Sequence, residues 1–179
     1  MILSLLRKDP VRAQAETLYR RAVEQARSPS FYARLGVADT VEGRTELVML
    51  HVFLLLSRLK NEPEGRALAL KLSEAFFENM DDALREAGVG DLSVGRRIRK
   101  IAEDFQGRLS AYDAAVAHGA EPAALSAALA RNVYFSADVT VGDGLAAYVR
   151  RALAALAAQP MSKFSGGSAE FPDPMEDAP

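Results

Sequence analysis

The chain has 179 residues, 49% apolar and 26% charged, enough for one globular domain that buries roughly two-thirds of its unfolded surface. It has no cysteine, and its two histidines, His51 and His118, are far apart, which excludes a disulfide framework and thiolate chemistry and argues against a structural zinc site. The formal charge of −2 is uneven: residues 160–179 set Lys163 against Glu170, Asp173, Glu176 and Asp177, a net −3, so the body carries +1 and bulk charge points away from DNA.

In chain order, "MILSLLRKDP" is apolar at its start but too short for a signal-peptide core, and its basic pair follows the apolar residues. Those first residues could touch a membrane surface. Residues 10–27 form a first helix, opened by Pro10 and followed by Pro29. A short helix over 30–35 stops at Gly36. The next, over 41–60, contains the apolar run "LVMLHVFLLL", ten residues where a bilayer span needs about twenty, so it reads as a core helix. On that helix His51 shares a stripe with Arg44 and Arg58, which places it on the less-buried side.

A helix over 64–87 follows, with Gly88 suited to the left-handed residue after its end and Val89 folding back on Leu84. The helix over 93–118 puts Ile98, Ile101, Phe105, Leu109 and Tyr112 on one face and Arg96, Arg97, Lys100 and Arg108 on the other, with Asp91 or Ser93 as its cap. Two more helices span 122–134 and 143–157, with Asp143 as cap of the second. The final stretch, rich in Gly, Ser, Pro and acids, reads as a disordered tail over 160–179. No segment alternates as a strand would. The expectation is an all-α single-domain bundle of about six to seven helices over 1–159, followed by a disordered acidic tail.

Catalytic motifs are absent: there is no phosphate loop, nucleophile elbow, H-E-x-x-H or Cys–His arrangement, so an enzyme is not expected. The stretch "NMDDALREAGVGDLSVGRRIRK" is unusual instead. It ends one helix in acids (Asp81, Asp82, Glu86) and opens the next in bases (Arg96, Arg97, Arg99, Lys100), each against its own helix dipole. The short linker makes a hairpin, and charge alone leaves two readings open. Either the clusters neutralise each other, or part of them waits for a partner.

"FYARLGVADTVEGRTELVMLHVFLLLSRL" (31–59), "AFFENMDDALREAGVGDLSVGRRIRKIAEDFQGRLSAYDAA" (75–115) and the shorter "RNVYF" (131–135) resemble the ubiquinol–cytochrome c chaperone family. Asn79 departs from the acid expected before Met80 and Asp81. The resemblance implies an assembly factor without enzymatic activity or cofactor. Its implied client is newly made cytochrome b or another subunit of the bc complex, with no role on DNA. A short N-terminus points to a bacterial version, cytoplasmic or peripheral at the inner face of the membrane, and says nothing of ribosome contact. The matching positions are Arg44, His51, Asp81, Asp82, Arg85, Glu86, Asp91, Arg108 and Tyr112. With Arg96, Arg97 and Lys100 from the basic cluster, they are the candidate partner-binding residues. Two alternatives stand beside this one: a haem-handling protein that ligates through His51, and a helical adaptor with an unrelated client.

Overall fold

The computed structural model describes residues 9–175, and among these every regular element is helical. In order they are α1 (Pro10–Ala26), α2 (Pro29–Ala33), α3 (Val41–Leu59), α4 (Gly65–Glu86), α5 (Asp91–Val116), α6 (Ala124–Val133), a 3-10 turn (Val139–Gly142), α7 (Asp143–Ala158) and α8 (Met161–Ser165). All seven expected helices are present, with bounds within two residues of the reading, and α8 is additional. The apolar N-terminal stretch assigned to membrane contact lies outside the described residues.

α3 forms the axis of the bundle. It packs on α1, α4, α5, α6 and α7, so most of its apolar run is covered: Leu47, Leu50, Val52, Phe53, Leu54 and Leu55 are buried, as is Leu59 beyond it. No helix among the described residues is long and apolar enough to cross a membrane. Aromatic pairs tie the outer helices to this axis, with Phe53 against Tyr112 of α5 and, between α4 and α5, Phe76 stacked on Phe105 at 4.7 Å.

The α4–α5 turn closes as its sequence implies. Gly88 takes φ +80°, the Gly88 N–H donates to Arg85 O at 2.9 Å, and the Val89 N–H donates to Leu84 O at 3.0 Å. This is the Schellman ending, and glycine supplies the positive φ it needs. α5 then begins at Asp91, two residues earlier than expected, after Gly90, and neither Asp91 nor Ser93 acts as a side-chain cap. Asp143 likewise sits inside the first turn of α7 and is not its cap.

The C-terminal segment differs from the expectation. Packing does not stop at residue 159: Phe164 of α8 is fully buried beneath the Arg58 guanidinium, and Ala169 is buried too. Side chains of the bundle also hold the backbone beyond α8. Gln159 and Glu170 exchange two hydrogen bonds of 2.7 and 3.0 Å, Gln25 donates to Pro172 O, and Arg151 donates to Pro174 O. Composition suggested disorder, yet two phenylalanines and a few long polar side chains suffice to order the segment to Met175. Residues 176–179 of the expected tail lie outside the described residues.

Candidate functional site

The sequence candidates fall into two groups, one inside the bundle and one at the free end of the α4–α5 hairpin. Inside, His51 is fully buried, not on a less-buried side, because α7 and the C-terminal segment cover it. Its Nδ1–H donates to Leu47 O at 2.7 Å, while its Nε2, 2.8 Å away, accepts from the Tyr148 hydroxyl. Gln25 Nε2 in turn donates to that hydroxyl at 3.3 Å. Phe31, Tyr148 and Phe171 pack around the ring. Burial pushes the His51 pKa down to about 4, against a smaller opposing effect of the Leu47 carbonyl. Both ring nitrogens are engaged and the ring is neutral. His51 can therefore neither ligate a haem iron nor read a carboxylate without breaking this chain.

Arg108 also lies elsewhere than its helical spacing implies. The reading placed it on the outer basic side of α5, but it points inward and grips Glu46 of α3 through two bonds, Nε–Oε2 at 2.7 Å and Nη2–Oε1 at 2.5 Å. This is the bidentate fork that arginine alone provides. Glu46, buried in the apolar α3, was missed by sequence reasoning. Its only signal was a carboxylate directly before an apolar run. Burial raises the Glu46 pKa, and the hydrogen bonds to Arg108 oppose that rise. Tyr112, another candidate, is also fully buried, and its hydroxyl has no hydrogen-bond partner among the described residues. Tyr112 lies out of a partner's reach, and the half-buried Arg108 guanidinium is committed to Glu46.

The hairpin end is different. Arg85 bonds Asp81 at 2.5 Å and also pairs with Asp91 across the turn, while Lys100 is taken by Asp104 at 2.5 Å. Arg96, Arg97 and Arg99 are exposed and form no ion pair among the described residues. Asp82 and Glu86 are likewise exposed and unpaired, so the two clusters do not neutralise each other across the hairpin. The supposed conflict with the α5 dipole also recedes. Asp91 fills the first turn with the favourable sign, and the arginines begin one turn later, where the dipole effect has faded. Leu92, on the same outward ridge as Arg96 and Arg99, is 98% exposed.

On the other side of the α4 end, the ends of α1, α3 and α4 enclose a groove of about 670 Å³. It brings the candidates Arg44, Asp82 and Glu86 together with apolar Tyr19, Val23, Val48 and Met80. Asn79, the departure from the family pattern, lines it as well, its amide donating to Ala75 O. Arg44 pairs with Asp39 at 2.6 Å. A second groove of about 600 Å³, between α3, α5 and α7, has a charged rim that is already paired, Lys60 with Asp113 and Arg58 with Glu62. It offers a partner less.

A family model described as ubiquinol–cytochrome C chaperone matches residues 33–171. The chain belongs to the ubiquinol–cytochrome c chaperone family. The crystal structure of the Cbp3 homolog from Brucella abortus is similar, with a TM-score of 0.82 and 37% identity, covering 97% of this chain and 98% of that one. Ubiquinol-cytochrome-c reductase complex assembly factor 1 of Xenopus laevis is 23% identical over 124 residues, 69% of this chain. The chain spans 61% of the length of that relative. The chaperone-family match runs past Gln159 to residue 171, so Phe164 and Phe171 lie within it, in keeping with their packing on the bundle.

Proposed function

We propose that this member of the chaperone family is a non-enzymatic assembly factor that holds newly made cytochrome b for the bc complex, working at the cytoplasmic face of the membrane. The observation that supports this reading most is the family match across the ordered body, joined to a cluster of exposed arginines at the α4–α5 hairpin that form no ion pair among the described residues. Unpaired exposed arginines beside an exposed leucine suit a protein contact, in which charge sets orientation and apolar area adds adhesion. In this reading Leu92, Arg96, Arg97 and Arg99 form the client contact. His51, Arg108 and Tyr112 hold the fold.

The haem-handling reading loses its ligand, because both His51 nitrogens are engaged. The direct experiment is affinity purification of the full chain from detergent-solubilised membranes, followed by identification of the bound proteins. Cytochrome b is expected among them at an abundance well above other membrane proteins of similar expression. Recovery without any bc-complex subunit would overturn the assignment.

A further inference from the structure

The groove between α1, α3 and α4 has two features that together specify an occupant. Its floor is apolar, formed by Tyr19, Val23, Val48 and Met80, with Val41 at the edge 77% exposed. Its walls carry opposite charge. The α4 wall presents Asp82 and Glu86, neither paired among the described residues, and the α1 and α3 walls present Arg20, Arg27 and Arg44. Among the described residues Arg20 reaches only the Thr17 hydroxyl, Arg27 forms no ion pair, and Arg44 alone of the three has a carboxylate, Asp39. Glu24, the one acid on the basic side, is held by Arg21.

We propose that this groove docks an amphipathic helical segment of the client, with an apolar stripe flanked by bases on one edge and acids on the other. This rests on the chaperone reading above and specifies the kind of segment recognised. Three considerations carry it. All three walls are helical, so the groove is lined by side chains and offers no strand edge. An occupant must then satisfy its own backbone hydrogen bonds, as a helix does. The half-buried apolar floor, with Val41 exposed at its edge, calls for an apolar stripe. The unpaired walls call for charges of both signs, because an uncharged span would strip water from Asp82, Glu86, Arg20 and Arg27 and return no partner. A membrane-spanning segment therefore fits poorly, and a segment that lies along a membrane surface fits well.

The test uses the purified full chain and four synthetic helical peptides of eighteen residues. They share one leucine stripe and differ only in their flanks: Lys on one side with Glu on the other, Lys on both, Glu on both, or uncharged. The mixed peptide is expected to bind at least tenfold more tightly than the other three. Asp82→Lys/Glu86→Lys, which makes every wall basic, should transfer the preference to the Glu-flanked peptide. Val41→Asp should weaken all four, and as an exposed position it leaves the fold intact. Equal affinities, or a preference unchanged by the double substitution, overturn the proposal. Cytochrome b recovered from membranes while the mixed peptide fails would sink the groove assignment alone. A binding mixed peptide with no bc-complex subunit recovered would sink the chaperone reading instead.

Discussion

The interior around α3 and the free end of the α4–α5 hairpin treat charge in opposite ways. Around the middle of α3 the candidates His51, Arg108 and Tyr112 lie within the bundle and, the Tyr112 hydroxyl apart, are answered: Gln25, Tyr148, His51 and Leu47 O form one unbroken hydrogen-bonded chain, and Glu46 meets Arg108 through two bonds. At the hairpin end Arg96, Arg97, Arg99, Asp82 and Glu86 stay in water without ionic partners among the described residues. The difference separates two kinds of residue that look alike as letters. A buried polar group must be satisfied or the fold loses stability. An exposed unpaired one costs little and remains available to another molecule.

The contrast breaks most visibly at Arg108. Arg108→Met strands a buried carboxylate and is expected to cost about 3–5 kcal/mol in urea unfolding, while Glu46→Leu/Arg108→Met should recover most of that loss. Equal costs for the single and double substitutions would mean that the pair is not a coupled unit.

His51 sharpens the same point through pH. Its folded pKa of about 4 lies below the value near 6.5 of an unfolded histidine, so between those values the unfolded chain binds a proton that the folded chain refuses. The stability this neutral His51 lends is fully present above pH 6.5 and falls as pH drops toward 4, by about 3 kcal/mol. The stability difference between wild type and His51→Gln, followed by urea unfolding from pH 7.5 to 4, should shrink by about that amount. A difference constant with pH would place the ring in contact with water.

Phe171→Ala, which removes half-buried cover over His51, is expected to cost about 1–2 kcal/mol. No measurable loss would mean that the C-terminal segment does not hold to the bundle.

Much of this fold was legible in sequence because helices announce themselves by period and punctuation. The apolar spacing of α4 and α5, Pro10 at the start of α1 and Gly88 after α4 each state a local rule, and the structure follows them. What stayed hidden depends on contacts between distant segments. His51 shares a stripe with two arginines, and only the return of α7 and Phe171 over it makes it core. Arg108 looks like a surface base until Glu46, 62 residues away in sequence, is placed opposite. The terminal segment has a disordered composition, yet Gln25, Arg151 and Gln159 catch its carbonyls from elsewhere in the chain. At the hairpin the charge clusters themselves were legible. Arg85 and Lys100 take acids one turn away on their own helices, a spacing the sequence shows, whereas the reach of Arg85 across the turn to Asp91 depends on how the hairpin closes.

The smallest expected effect on stability tests the central claim most directly. In Arg96→Glu/Arg97→Glu/Arg99→Glu, thermal unfolding and cytochrome b recovery from membranes are measured on the same preparation. Surface substitutions away from paired groups shift stability by about 0.5 kcal/mol or less each, so Tm should stay within about 5 °C of wild type while cytochrome b recovery collapses. A variant that unfolds, or one that holds cytochrome b as well as the wild type does, would contradict the assignment of these arginines to partner contact.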